Sequence, residues 1–353
     1  MKIAVLTSGG VDSSVALKLL ANQGYDVTAF YLKIWLEDEI AHLGNCPWEE
    51  DISYIRQICS QAGIPLEVVS LQKAYWSKIV TYTINEVKAG RTPSPDLLCN
   101  KFIKFGAFFD HIGDNFQKIA TGHYACIEET EGKFFLKKAY DKLKDQTYFL
   151  SRLSQQQLSK ITFPIGHLLK SDVRELACRY NLPNKSRKDS QGICFLGKIN
   201  FSDFIKHHVG TKRGNLVDID TNKKVGEHDG FWFYTIGQRR GIGLSGGPWY
   251  VAKKDSAKNI VYISNKYDLA KKDRNKFIVS HFNWFNGAKK YMFSKNLGVK
   301  IRHGEQFYGC SLQFDQSKKR GFVELSGQDQ GIASGQFAVF YDDSTCLGSG
   351  IID

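Results

Sequence analysis

Residues 2–23 read KIAVLTSGGVDSSVALKLLANQ, and the order of residue types in that stretch decides the architecture. Lys2–Thr7 is a short apolar run with the length and texture of a buried strand. Ser13–Gln23 carries its apolar residues at helical spacing. Between them, Ser8-Gly9-Gly10-Val11-Asp12-Ser13-Ser14 turns the chain from strand into helix. Two glycines let the backbone turn tightly and approach a ligand closely. The first N–H groups of a new helix have no partner within it, and the helix dipole favours an anion there. Ser8, Ser13 and Ser14 add hydroxyl donors, and Asp12 is expected to cap the helix. The loop lacks the lysine of G-x-x-x-x-G-K-[ST], so it is not the usual NTPase P-loop. A capped turn that binds nothing is the alternative.

Working outward, Val27–Leu32 reads as a second strand, 52–62 as a helix, Leu66–Ser70 as a third strand and Lys118–Ala120 as another, ending at Thr121-Gly122-His123. Strands alternating with helices predict an α/β fold with a doubly wound parallel sheet. Ligands of such sheets bind beyond the carboxyl ends of the strands, where both Ser8–Gly10 and Gly122-His123 fall. After about residue 200, glycine-rich turns separate short strand-like runs: Phe231–Ile236, Trp249–Ala252, Ile260–Ile263, Val299–Arg302, Cys310–Phe314, Gly321–Leu325 and Phe337–Tyr341. These predict two small, mainly β domains, the last barrel-like. The expected division is 1–198, 199–269 and 270–353. Gly241-Ile242-Gly243-Leu244-Ser245-Gly246 matches G-x-G-x-x-G in letters only; Pro248 follows and no helix opens, so it reads as a loop between strands.

The 353 residues carry a formal charge of +12, placed unevenly. Residues 1–197 hold 24 basic and 21 acidic side chains, whereas 198–353 hold 24 and 15. A basic C-terminal portion is the footprint of a polyanionic partner. No run approaches the ~20 apolar residues of a membrane span, and the N-terminus has no signal or transit pattern. A cytoplasmic protein, with no membrane partner, is expected, and a monomer is the simplest oligomeric state. None of the eight cysteines forms a C-x-x-C pair, and no Cys/His spacing suggests zinc.

Two cysteines stand in unusual surroundings. Cys99 closes Thr92-Pro93-Ser94-Pro95-Asp96-Leu97-Leu98-Cys99-Asn100, in which two prolines predict an extended approach and a helix starting near Asn100. A thiol at a helix N-terminus beside Lys101 and Lys104 favours the thiolate. Asp96 is placed to act as acid or base. Cys194 lies in Asp189-Ser190-Gln191-Gly192-Ile193-Cys194-Phe195. Taken locally, each reads as a structural cysteine before it reads as a nucleophile. His207 and His208 read as solvated helix-end residues, and Cys46 reads as structural.

The S-G-G-V-D-S string resembles the pyrophosphate loop of the N-type ATP pyrophosphatases, which cleave ATP between the α and β phosphates and adenylate a carbonyl oxygen. Together with T-P-S-P-D-L-L-C-N, K-D-Q-T-Y-F-L (Lys144–Leu150), D-S-Q-G-I-C-F and F-Y-T-I-G-Q-R-R-G-I-G-L (Phe233–Leu244), the chain resembles the bacterial and organellar tRNA-specific 2-thiouridylases almost end to end. The resemblance implies adenylation of a uridine C2 oxygen by ATP, with Mg²⁺ expected on the phosphates. It implies a persulfide on Cys194, brought by a persulfide-carrying donor protein, and Cys99 as the partner nucleophile, with a transient Cys99–Cys194 disulfide as one route. Asp96 would be the nearby acid or base. ATP contacts would fall on Ser8, Gly9, Gly10, Val11, Asp12, Ser13, Ser14, Leu32 and Gly122. The target base would meet Ser94, Pro95 and Asp96. Other tRNA contacts would fall on His123, Lys144, Asp145, Gln146, Arg302, His303 and Gln336. Family members often carry Met at position 32 and Asn at position 94, so an adenine contact by side chain and a base contact by Ser94 are less firmly implied. The alternatives are another adenylating ligase, such as a lysidine synthetase, or a nucleotide-sensing or RNA-binding module; neither needs the two cysteines.

Overall fold

A computed structural model describes residues 1–34, 48–189, 200–265, 274–287, 296–329 and 331–353. Cys46, Cys194 and the Ser190–Gly197 motif lie outside the described residues.

The opening stretch folds as strand, loop and helix. β1 (Lys2–Leu6) leads to α1 (Val11–Asn22), followed by β2 (Asp26–Lys33), α2 (Trp48–Ala62), β3 (Leu66–Ser70) and β4 (Lys118–Thr121). These strands are parallel, in the order β3-β2-β1-β4, and a two-residue strand, β7 (Ile161–Thr162), extends the β4 edge. Alternate residues of β1 serve the two faces of the sheet. Ile3 and Val5 pack with α1, α2 and a later helix, α4 (Lys170–Arg179). Ala4 and Leu6 pack with the helices of residues 72–112 on the opposite face. The doubly wound layout follows from that alternation, because a strand buried on both sides needs helices on both sides.

The second face carries α3 (Pro95–Cys99), which runs on into a π-helix over Asn100–Ala107. The expectation of an extended approach and a helix from Asn100 is corrected here. Pro95 is the first helical residue, a position whose N–H would be unbonded in any case, so Cys99 ends the first turn instead of opening it. The wider π turn leaves carbonyls poorly placed for the usual i→i+4 bond. Gln157 supplies donors in compensation: its Nε2 donates to Lys101 O at 2.8 Å and Phe105 O at 2.6 Å.

Beyond residue 200, β8–β11 (Gly214–Asp218, Lys224–His228, Tyr250–Asp255, Ile260–Ser264) form a four-stranded sheet in the order β10-β11-β8-β9, in which β11 and β8 are parallel. Phe231–Ile236, expected as a strand, is instead a 3₁₀ turn over Phe231–Phe233 followed by loop. Buried Phe231 and the Trp232 indole, which donates to Gly210 O, anchor it. Side-chain burial overrides the strand-like texture there.

The last six strands, β12 (Lys276–Trp284), β13 (Leu297–Lys300), β14 (Tyr308–Asp315), β15 (Arg320–Leu325), β16 (Phe337–Asp342) and β17 (Thr345–Ile352), close into an antiparallel barrel through a β12–β17 pairing. A hairpin from the N-terminal region, β5 (Ala125–Thr130) and β6 (Lys133–Lys138), joins that sheet: Leu136 pairs with Cys346 and Lys137 with Thr345. Among the described residues, no helix is long and apolar enough to cross a membrane.

Candidate active site

The loop between β1 and α1 forms a cradle at the carboxyl edge of the sheet. Gly9 has φ +72°, and a Cβ there would lie 2.8 Å from Asp51 Cα and 2.9 Å from Asp51 O. Only glycine suits both the conformation and the space. Gly122, just past the end of β4, passes so close to α1 that a Cβ would sit 2.6 Å from Ser13 N. Gly10 is the N-cap of α1, and no side chain caps the helix. The expected cap by Asp12 is therefore corrected: its Oδ1 accepts from Tyr124 Oη at 3.1 Å and pairs with Lys170 Nζ at 2.6 Å. Ser13 and Ser14 both donate their hydroxyls to Gly10 O, and Ser13 Oγ accepts from Ser8 N. These bonds hold the loop open around the helix N-terminus. Such a cradle, uncapped and lined by backbone, fits a nucleotide's phosphates. Leu32 lies at the carboxyl end of the neighbouring strand β2. No group of three or more His, Cys, Asp or Glu side chains converges among the described residues. Magnesium fits here only as an ion brought by the phosphates, with Asp12 the loop's one carboxylate.

Residues 184–189 brace the cradle from outside. Asn184 Nδ2 donates to Gly9 O at 2.8 Å and to Ser14 Oγ at 2.9 Å. Arg187 donates to the same carbonyl at 3.0 Å and pairs with Asp51 at 2.6 Å. Asp189 receives Lys144 at 2.8 Å, Lys170 at 2.8 Å and Arg174 at 2.7 Å. Burial pushes the Asp189 carboxyl up, but hydrogen bonds and charge from Lys144 and Lys170 more than offset it and draw the group down to about 2. None of Asn184, Arg187, Lys170 or Tyr124 was singled out from the sequence, and Asp189 entered only as the first residue of the Cys194 motif. The one signal available was Lys170, a cation at the first position of a helix.

On the other face, Cys99 is 1% exposed, one turn beyond Asp96 on the same side of α3. Asn100 Nδ2 donates to Phe149 O at 3.0 Å, and the Phe149 ring meets His303 at 4.4 Å between centroids. Burial, and then the nearby Lys300 charge, lower the His303 pKa, while Asp145 and Asp96 act in the opposite sense. His303 thus brings the barrel to the Asp96–Cys99 turn. His123 lies near the Phe105 and Phe163 rings, with Nδ1 2.7 Å from Thr121 Oγ1. Burial, with the Lys104 charge, holds it well below its ordinary 6.5, so it is neutral near pH 7. His208 is not a solvated helix end: its ring packs against Phe204 and Trp76.

The remaining residues expected at the site fall into two groups. Gln336 Nε2 donates to Pro93 O at 3.4 Å, and Thr92 N donates to Ser334 O at 2.8 Å, which seats the approach to Ser94 on the barrel. Arg302 turns to Asp329 in a two-pronged pair at 2.7 Å. Arg302 and Gln336 line a cavity of about 560 Å³ shared by Thr92, Gln238, Tyr308 and Asp329, at the junction of the three parts of the chain. The Lys144–Gln146 side chains, by contrast, are engaged within the protein. Lys144 pairs with Asp189, and Gln146 Oε1 accepts from Tyr124 N. Asp145, 3% exposed, accepts from Thr147 Oγ1 and Ala139 N and pairs with Lys300 at 3.4 Å.

Comparison with known proteins agrees along the whole chain. Residues 1–198 match the tRNA methyl transferase HUP domain family, 202–265 the tRNA methyl transferase PRC-barrel domain, and 274–352 the aminomethyltransferase beta-barrel domain. A tRNA-specific 2-thiouridylase MnmA of Parabacteroides distasonis is 47% identical over 100% of this chain and 99% of its own length. Its counterparts in Bacteroides thetaiotaomicron and Porphyromonas gingivalis are 46% and 45% identical, again over 100% of this chain and 99% of theirs. A solved U34-tRNA thiolase NcsA of Methanococcus maripaludis shares 15% identity over 59% of this chain and 65% of its own, at a TM-score of 0.35, too remote a likeness to add weight. With full-length relatives at these identities, and with a glycine-lined loop and a cysteine-bearing helix turn set about one parallel sheet, the chain belongs to the tRNA-specific 2-thiouridylase family.

Proposed function

We propose that the chain is an ATP-dependent tRNA uridine sulfurtransferase that replaces the C2 oxygen of the wobble uridine with sulfur. The observation that carries this reading is full-length membership of the family together with the uncapped α1 cradle. The uracil C2 carbonyl is amide-like and a poor electrophile. Its oxygen attacks the α-phosphorus of ATP, pyrophosphate leaves, and the oxygen becomes part of AMP, a good leaving group. Ser8–Ser14, Leu32 and Gly122 hold the nucleotide in this scheme, and Ser94–Asp96 hold the base. In this scheme tRNA contacts fall on His123, Arg302, His303 and Gln336 and on the Lys144–Gln146 segment, whose side chains would exchange their internal partners for RNA.

Sulfur reaches C2 from a persulfide on Cys194, charged by a persulfide-carrying protein. A persulfide brings sulfur that must gain two electrons to become a thiocarbonyl. Cys99 and Cys194 supply them by forming a disulfide, whether the sulfur leaves first as hydrosulfide or passes directly to C2. AMP departs, and a thiol reductant reopens the disulfide. Asp96, one turn before Cys99, takes the proton of the attacking thiol. The burial of Cys99 suits a thiol kept from solvent until the base arrives.

The test is nucleoside mass analysis of tRNA incubated with ATP, Mg²⁺ and a persulfide donor. Cys99→Ser and Cys194→Ser should each abolish 2-thiouridine while leaving ATP affinity within about twofold. Retained 2-thiouridine in either variant contradicts the mechanism. Pyrophosphate release without thiolation in the wild-type chain contradicts the function.

A further inference from the structure

The phosphate loop has no lysine of its own, and one arrives from elsewhere in the chain. Lys170 is the first residue of α4. A cation at that position opposes the helix dipole, and Asp141 and Asp172, which accept from Lys170 N at 2.9 Å and Leu169 N at 3.0 Å, offset it locally, so what marks Lys170 is where its side chain reaches. Its Nζ lies 2.6 Å from Asp12 Oδ1, in the first turn of α1, and 2.8 Å from Asp189 Oδ1. The side chain is only 16% exposed. Three cations, Lys144, Lys170 and Arg174, share the carboxylates of Asp12 and Asp189 beside an uncapped helix N-terminus, and Asp141, which accepts from the backbone N–H groups of Lys144 and Lys170, balances the third charge.

Its place relative to the sheet gives it a direction. α1 and α4 pack on one face of the parallel sheet, with Ile3 and Val5. Cys99 packs on the other, with Ala4 and Leu6. Transfer of an adenylyl group needs the attacking and leaving oxygens roughly in line across the phosphorus. If the base is held by Ser94–Asp96 on the Cys99 face, the pyrophosphate leaves toward the α1–α4 face, where Lys170 stands.

We propose that Lys170 binds the pyrophosphate end of ATP, supplying the cation that the Ser8–Ser14 loop lacks, and that Asp12 and Asp189 hold it ready. The proposal rests on the reading that ATP occupies this loop. It assigns Lys170 to the two phosphates that AMP does not carry.

Calorimetric titration of the full chain with ATP and, separately, with AMP tests it, alongside thermal unfolding. Lys170→Met should weaken ATP at least tenfold and AMP less than twofold. Lys170→Arg, which keeps the charge, should bind ATP within about threefold of wild type. Removing one member of a partly buried ion pair leaves the other uncompensated. If Lys170→Met does not fold, Lys170→Gln, whose amide can still donate to Asp12 and Asp189, takes its place, and the same contrast between ATP and AMP is expected. Unchanged ATP affinity, or equal weakening of ATP and AMP, overturns the assignment and makes Lys170 a structural residue. A wild-type chain that binds AMP but gains nothing from the two further phosphates also overturns it. A wild-type chain that binds neither nucleotide overturns the functional reading as well.

Discussion

A β-carbon at position 9 would meet the Asp51 backbone at 2.8 Å, and the residue would sit at φ +72°. Gly9→Ala should therefore cost at least about 1–2 kcal/mol from the left-handed conformation alone. ATP affinity should fall with it, because the loop and α2 must move apart; calorimetry on the folded variant reads both. The Asp189 carboxylate gives a pH-dependent counterpart. Its folded pKa, about 2, lies below the ordinary 3.8. A depressed carboxyl contributes stability that is whole above about pH 4 and is lost as the pH falls through about 2. Asp189→Asn should flatten that acid limb of the unfolding curve, and an unchanged limb would mean that the three cations do not act on it. At this scale the sequence was partly legible. The glycines and serines of Ser8–Ser14 announced a tight turn into an open helix N-terminus, because turn chemistry is local. Asn184 and Arg187 did not, because their meaning lies in the Gly9 carbonyl, more than 170 positions away. Asp12 was misread for the same reason: a distant lysine and tyrosine outcompete the local cap.

At the scale of elements, the parallel strands and α1 were legible because burial on both faces leaves a continuous apolar run. The start of α3 was not, since two prolines spaced as in Pro93-Ser94-Pro95 fit both an extended segment and a helix opening on the second. The π-helix after Cys99 had no local signature either; it depends on Gln157, a residue more than 50 positions away. Gln157→Ala should remove two hydrogen bonds to carbonyls, together with the one its Oε1 accepts from Ser154 N, and cost about 1–3 kcal/mol. If the π turn is what places Cys99, alkylation of that thiol should quicken in the variant, as read by peptide mass. Equal alkylation rates would mean that the helix holds its shape unaided. The Phe231–Phe233 turn makes a similar point: an aromatic-rich run reads as a strand until Gly210 and the buried ring of Phe231 bind it into a corner.

Across the whole molecule, the Lys144–Leu150 motif joins the parts. Asp145 pairs with Lys300 of the barrel, Thr147 Oγ1 lies 3.1 Å from Tyr341 Oη, and Tyr148 Oη donates to Phe337 O at 3.2 Å. With Lys300 and Asp145 both nearly solvent-free, Lys300→Met should strand a buried carboxylate and cost about 3–5 kcal/mol in urea unfolding. K300M/D145N should recover part of it; no recovery would show that Asp145 serves its local N–H donors more than the lysine. The hairpin β5–β6 makes the same junction in backbone form, and its partner strand lies 208 residues further along the chain. At translation rates of 5–20 residues per second, that separation leaves β6 waiting roughly 10–40 s for β17. Throughout that interval the nascent chain carries an open strand edge, with Leu136 lacking its cross-strand neighbour Cys346. The strand reads KFFLKK, and its lysines are the kind of charge that discourages an exposed edge from pairing with a neighbouring chain. An edge left open for that interval is open to mispairing, and the charge of the three lysines of β6 opposes it.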